Sequence, residues 1–294
     1  MYQSLIDFFK DKSVLILGLG REGRATLAFL RRYYPDMNIT VADKNPVKVE
    51  DDKVTLICGE NYLDCINDFD VVMQSPGISL RDVKIEEGTT VTGEMDLFLR
   101  FVPCKKIGIT GTKGKTTTTT LVYRMLQAGG VPSMIMGNIG TPVFESLDEI
   151  EGKVAVIEMS CHQLEFSHAS PDVAVFTNAF PEHLDHYNGF GGYVGAKLNI
   201  IRHQTGGDYF VCNAEQDFDR YFDFSNSKTS VIKVGLNGSN GDEDIIAAAS
   251  ANERLKGSHN RQNVCVAATV ARCLGISDAD ILKAVENFAG IENR

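Results

Sequence analysis

Lys106-Ile107-Gly108-Ile109-Thr110-Gly111-Thr112-Lys113-Gly114-Lys115-Thr116-Thr117 decides how this 294-residue chain is read. An apolar run rises into a turn bracketed by Gly111 and Gly114, and an amphipathic stretch through Leu121, Val122, Met125 and Leu126 follows. Strand, glycine turn and helix in that order present backbone N–H groups and a helix N-terminus to phosphate oxygens. In such a loop Lys115 reaches the outer phosphates and the Thr116 hydroxyl meets the accompanying Mg²⁺. The strict pattern places a glycine at position 109, where this chain has Ile109, so a plain glycine turn before a helix is the competing reading.

Upstream, Ser13 to Leu17 is a short apolar strand, followed by Gly18-Leu19-Gly20-Arg21-Glu22-Gly23 and a helix with Ala25, Leu27, Ala28 and Leu30 inward. A second strand, Ile39 to Asp43, ends in an acid twenty residues past Gly23. Taken alone this is a dinucleotide fingerprint with Asp43 on a ribose hydroxyl; the alternative is a Rossmann-like fold whose glycines serve helix–strand packing. Val54–Ile57 and Asp70–Gln74 read as further strands, the latter entering Ser75-Pro76-Gly77. That turn is either a ligand loop at a strand's C-terminal end or simply a tight turn. An amphipathic helix from Gly93 leads to Val102-Pro103, a junction.

Downstream, Pro132–Met136 is a strand running into Gly137-Asn138-Ile139-Gly140, where an amide side chain can meet a ligand or merely turn the chain. The buried strand ending at Glu158 carries a carboxylate that is costly unless it meets a cation or water. Asp172–Asn178 is the next strand, and it delivers Glu182, His183, Asp185 and His186. No third ligand at helical spacing supports a zinc site. Lys197, fourteen residues after His183, reads on general grounds as a helix-surface lysine. Asp208–Asn213 and Thr229–Val234 are strands, and Gly235–Glu243 is a glycine- and asparagine-rich loop or hairpin. A helix opens at Leu255–Asn263, where Asn260 can act as an N-cap, and another covers Asp278–Phe288.

Net charge is −10, which disfavours nucleic-acid and anionic-membrane partners. No apolar run approaches the ~20 residues of a membrane span, and the N-terminus has no signal-peptide pattern. Seven scattered cysteines without a Cys-x-x-Cys pair fit buried thiols in a reducing cytoplasm.

Gly108-Ile-Thr-Gly-Thr-x-Gly-Lys-Thr-Thr117, the Ser75-Pro-Gly-Ile turn, Gly93-Glu-x-x-Leu-Phe98, Ser160-x-x-Gln163-Leu-Glu165, the Asn178 to Asp185 segment and Gly257-x-His-Asn-x-x-Asn263 occur in the order found in the Mur ligases, and the chain resembles that family along its length. The fold so implied is α/β: a Rossmann-like N-terminal domain (1–93), then a P-loop ATPase-type central domain with a mainly parallel sheet (94–294). A C-terminal amino-acid-binding domain is expected to be absent and turnover by the fragment poor. The resemblance implies an ATP-dependent amide-bond ligase joining D-glutamate to UDP-N-acetylmuramoyl-L-alanine through an acyl phosphate, in peptidoglycan precursor synthesis, by a cytoplasmic monomer. Leu19, Arg21, Asp43, Lys44, Ser75, Pro76, Gly77, Asn138, Ser160 and Gln163 would line the UDP-substrate site. ATP would lie on Gly111, Thr112, Lys113, Gly114, Lys115, Thr116, Thr117, Asn260, Asn263 and Arg294. Two Mg²⁺ would be held by Thr116, Glu158, His183 and a carbamylated Lys197, with Lys115, Glu158, His183 and Lys197 catalytic. Departures are Cys161 for a serine, Glu182 for an aspartate and Asn293 for a histidine. Rivals are another Mur-type ligase, a NAD-dependent oxidoreductase and a non-catalytic nucleotide-binding regulator.

Overall fold

A computed structural model describes residues 2–187, 189–236 and 242–291. Arg294 and the Asn293 departure lie outside them, as does most of the expected 235–243 loop.

After a short helix α1 (Gln3–Phe8), the chain builds β1 (Val14–Leu17), α2 (Arg21–Tyr33), β2 (Ile39–Asp43), β3 (Val54–Cys58), β4 (Val71–Gln74) and β5 (Thr90–Thr92). These strands form one parallel sheet in the order β3-β2-β1-β4-β5, with Val14 opposite both Ile39 and Val71. All four residues of β1 are buried, as a central parallel strand covered on both faces requires. The chain winds one way to β3 and then crosses to β4, so the switch point lies between β1 and β4, at the mouth of the Gly18 turn.

Helix α3 (Glu94–Phe101) leads to a second sheet. Its elements are β6 (Lys106–Thr110), α4 (Lys115–Ala128), β7 (Ser133–Gly137), β8 (Val154–Glu158), α5 (Cys161–Leu164), β9 (Val173–Phe176), α6 (Gly189–Arg202), β10 (Tyr209–Asn213) and β11 (Ser230–Val234). Helices α7 (Glu243–Ala251), α8 (Ser258–Cys273) and α9 (Asp278–Glu286) follow. The order is β11-β10-β9-β6-β8-β7, with every neighbouring pair parallel. Strand β6 therefore sits between β8 and β9, and the loops after all three open at one edge.

Apolar side chains of α4, α8 and α9 cover one face of this sheet. The other face shares a continuous core with α1–α3 and the first sheet; Phe29 meets Phe144 with ring centroids 4.8 Å apart. Polar ties reinforce the seam: Arg21 donates to the Gly140 carbonyl at 2.6 Å, and Thr26 donates to the buried Glu94 at 3.0 Å.

Two sequence expectations change. Asn260 is not an N-cap: Gly257, at φ +97°, caps α8, and Asn260 lies inside its first turn, donating to the Lys256 carbonyl. Lys197 is not on the helix surface but is 1% exposed, because α6 packs that face against the phosphate loop. Helices α1 and α7 are not among the elements read from the sequence; α1 is only six residues long.

Candidate active site

Between β6 and α4 the chain makes the tight loop Gly111–Gly114. Gly111 sits at φ +149°, and a Cβ there would lie 2.0 Å from the Thr177 hydroxyl oxygen. Gly114 sits at φ +82°, and a Cβ there would lie 2.5 Å from Asn263 Oδ1. Both positions need glycine for conformation and for space. The loop is clamped from the end of β9. Thr177 Oγ1 donates to the Lys113 carbonyl at 2.7 Å, and the Asn178 amide brackets Lys113 by accepting its N–H (2.8 Å) and donating to its carbonyl (2.9 Å). Thr112 Oγ1 accepts the Phe180 N–H at 2.9 Å and lies 2.9 Å from the Tyr193 hydroxyl. No side chain caps α4, so its first N–H groups face the loop mouth beside Thr116 and Thr117.

Two lysines meet at one carbonyl. Lys115 Nζ donates to the Gly111 and Thr112 carbonyls (3.0 and 3.1 Å), and Lys197 Nζ donates to the same Gly111 oxygen at 2.9 Å. Lys197 also lies 4.8 Å from the Tyr193 ring centroid, and no carboxylate among the described residues is within ion-pair distance of it. Burial, helped by Lys115, pulls the Lys197 amine down to about 8; Cys161, Glu182 and Glu158 oppose the shift.

Glu158 ends β8 beside Ile109 of β6 and is 2% exposed. Its Oε1 accepts from Asn138 Nδ2 at 2.6 Å, whereas its buried Oε2 has no hydrogen-bond partner. A carboxylate oxygen in that condition is costly unless a cation meets it, so this position fits a divalent ion. His183 stands at the exposed rim in a left-handed conformation (φ +52°), its ring 5.1 Å from His162 and 6.4 Å from Tyr193. Lys115 and Lys197 thus meet on the Gly111 carbonyl, Glu158 ends the strand beside β6, and the His183 ring approaches Tyr193. Among the described residues no three His, Cys, Asp or Glu side chains converge, so a metal here depends on Lys197 or on groups from ligands. Lys113 turns away to pair with Glu182 at 2.5 Å. Beside the loop an open cleft of about 350 Å³ is lined by Thr117, Arg254, Asn260, Phe288 and Gly290. Asn263 packs on Gly114 instead.

On the first sheet, a Cβ at Gly23 would lie 2.0 Å from the Gly18 carbonyl, the close helix–strand approach expected of the third glycine. Asp43 accepts the Leu19 and Asn45 N–H groups at 2.9 Å each, one on each carboxylate oxygen. Ser75 donates to the Gly18 carbonyl at 2.7 Å; Pro76 and Gly77 (φ +92°) are exposed beside it. Lys44 pairs with Glu60 at 3.3 Å on the surface, turned to an acid of its own sheet.

Across the seam, Ser160 and Gln163 form a capping box on α5, and Gln163 Nε2 donates to Glu22 Oε1 at 2.6 Å. A gap of only about 10 Å³ separates Gln74 and Pro76 from His162 and Gln163. Burial raises the Glu22 carboxyl to about 7 against the hydrogen bond from Gln163. Neighbouring Glu94 is raised well above its usual range, by burial first and then by Glu22.

Sequence reasoning missed Thr177, Tyr193 and Glu22, and noted Asn178 only within a motif. Thr177 and Asn178 had a signal, since they end a strand of the sheet that carries the loop. Glu22 had one too, as an acid inside a glycine-rich turn.

Residues 109–271 match the Mur ligase middle domain, and residues 12–93 match the MurD-like N-terminal domain of Mur ligases. A UDP-N-acetylmuramoylalanine–D-glutamate ligase of Clostridium botulinum is 35% identical over 98% of this chain and 67% of its own length. The enzyme of that name from Clostridium acetobutylicum is 31% identical over 100% and 68%. The chain spans about two thirds of the length of these relatives. Among solved structures, a UDP-N-acetylmuramate:L-alanyl-gamma-D-glutamyl-meso-diaminopimelate ligase from Neisseria meningitides superposes with a TM-score of 0.60 at 17% identity, covering 96% of this chain and 99% of that one. The UDP-N-acetylmuramate–alanine ligase MurC from Thermotoga maritima gives 0.52 at 21% identity, covering 95% and 69%. The two structures speak for the fold alone; the sequence matches, which cover both sheets, make this chain a member of the Mur ligase family.

Proposed function

We propose that the chain carries the UDP-substrate and ATP sites of a ligase that adds D-glutamate to UDP-N-acetylmuramoyl-L-alanine in the cytoplasm, as part of peptidoglycan precursor synthesis. The observation that carries this reading is the meeting of Lys115 and Lys197 on the Gly111 carbonyl, with the half-satisfied Glu158 at the end of the strand beside β6. A carboxylate is a poor acyl donor, and in this reading it attacks the γ-phosphate of ATP, giving an acyl phosphate and ADP. The amine of D-glutamate then displaces phosphate to form the amide.

Each protein group has a task in that sequence. The Gly111–Gly114 backbone and the uncapped start of α4 receive the triphosphate, and Lys115 turns from the Gly111 and Thr112 carbonyls to neutralise charge on the outer phosphates. Thr116 and Glu158 would hold one Mg²⁺, and His183 with a carbamylated Lys197 the second. When bound, these ions lower the repulsion between the incoming carboxylate and the triphosphate. Lys197 suits carbamylation because a buried amine held near 8 has a substantial neutral fraction at mildly alkaline pH. Its lone pair adds to the CO₂ carbon and a proton leaves to solvent, replacing an unpaired buried cation with oxygen ligands. Leu19, Asp43 and Ser75–Gly77 shape the turn for the nucleoside diphosphate, while Asn138, Ser160 and Gln163 face it from the second sheet.

Thermal-shift titration tests the reading. UDP-N-acetylmuramoyl-L-alanine alone and ATP with Mg²⁺ should each raise Tm, a ligand at 100 times its Kd adding about 2.7 kcal/mol. Stabilisation by NAD with neither of those ligands effective would refute it.

A further inference from the structure

Helix α2 begins at the diphosphate turn, and its first two residues both reach across to the second sheet. Arg21 donates to the Gly140 carbonyl at 2.6 Å; two residues earlier, Asn138 holds Glu158 twice, through Nδ2 to Oε1 (2.6 Å) and through its N–H to the Glu158 carbonyl (2.9 Å). Glu22 accepts from Gln163 Nε2 at 2.6 Å, and Gln163 Oε1 in turn accepts the N–H of Ser160, two residues past Glu158, at 2.9 Å. The single amide of Gln163 is thus spent on both sides of the seam. Ser160 Oγ closes the capping box by accepting the Gln163 N–H at 3.2 Å. Two separate bridges from one helical turn therefore reach toward the Glu158 end of β8: one stops at Gly140, two residues from the Asn138 that holds Glu158, and the other runs through Gln163 to Ser160. No cap occupies the N-terminus of α2, whose N-cap is Gly20.

We propose that Glu22 is a positioning residue that couples the two ligand sites, so that filling the nucleoside-diphosphate turn sets the Glu158 end of β8 for Mg²⁺ and ATP. This rests on the substrate assignment made above. A diphosphate at the start of α2 attracts Arg21 and shifts the first turn of a rigid thirteen-residue helix. With Arg21 drawn to the anion, the Asn138–Gly140 turn loses its tie to α2. Glu22 is then the bond that carries the displacement to Ser160. Coupling of this kind is reciprocal: each ligand tightens the other by the same factor. Glu22 touches neither ATP nor the reacting atoms, so it acts through Gln163.

The test is the Kd of the non-hydrolysable analogue AMPPNP with Mg²⁺, measured by calorimetry with and without saturating UDP-N-acetylmuramoyl-L-alanine. Wild type is expected to show roughly ten-fold tightening. Glu22→Gln, which keeps an acceptor for Gln163, should retain it. Glu22→Met, which fills the space without an acceptor, should bring the ratio to about one while AMPPNP alone binds within about two-fold of wild type; Glu22→Ala serves if the methionine variant does not fold. A merely structural role would lower Tm and leave the ratio unchanged. Binding of both ligands to wild type without mutual effect, or full coupling in Glu22→Met, overturns the inference and spares the substrate assignment. Failure of wild type to bind either ligand overturns both.

Discussion

Replacing Glu22 by Gln should stabilise the protein increasingly as pH rises. The carboxyl is 2.6 Å from its one hydrogen-bond donor and is raised by burial from an ordinary 4.5 to about 7. Below about pH 4.5 it is protonated in both folded and unfolded chains, and its titration contributes no difference. Between 4.5 and 7 the unfolded chain sheds the proton while the folded one keeps it, so stability falls with pH. Above about 7 both forms are ionised and the loss is complete. At about 1.4 kcal/mol per pH unit the window is worth about 3 kcal/mol. The amide of Glu22→Gln keeps an oxygen for Gln163 and has nothing to titrate, so the variant should match wild type near pH 4.5 and exceed it by about 3 kcal/mol at pH 8. For a chain of this length that is a Tm difference of roughly 5 °C. Removing a like charge also eases Glu94, which adds to the gain in the same direction. Denaturant titrations followed by circular dichroism at pH 5, 6, 7 and 8 measure the difference directly. Parallel stability curves for the two proteins would refute the reasoning.

Gly111→Ala should abolish ATP binding, because its Cβ would enter the Thr177 hydroxyl; calorimetry with MgATP should show no heat, while UDP-N-acetylmuramoyl-L-alanine still binds. Gly23→Ala places a Cβ 2.0 Å from a backbone oxygen and should cost more than about 3 kcal/mol, seen as a fall in the denaturation midpoint. Bicarbonate at pH 8.5 should raise the wild-type Tm and leave Lys197→Met unmoved; an equal rise in both would remove the carbamate from the mechanism. Glu158→Gln should lose the Mg²⁺ dependence of nucleotide binding by about 100-fold in metal affinity, with little change in nucleotide binding without metal.

Much of the architecture was legible because parallel strands buried on both faces are written as unbroken apolar runs. Val14–Leu17 and Val154–Glu158 declare themselves within a residue or two, and the glycines at 18, 111 and 114 mark turns of positive φ, and Gly23 a close helix–strand approach. What stayed hidden depends on contacts between residues distant in sequence. Nothing local distinguishes Lys197 from an exposed helical lysine; its burial follows from α6 lying against a loop 86 positions earlier. Nothing beside Glu22 in the sequence tells of its burial, since its partner Gln163 lies 141 positions later. The clamp of Thr177 and Asn178 on Lys113 likewise needs β6 and β9 to be neighbours, a fact of topology rather than of motif.

The apolar core that runs from Phe9 and Phe29 through Phe98 to Phe144 and Phe176 belongs to neither sheet alone. Severing the backbone between Gly93 and Glu94 should leave two pieces that cling together and fold only in each other's company, as complementing fragments do. The boundary between modules is therefore a matter of ancestry, while the unit that melts is the whole.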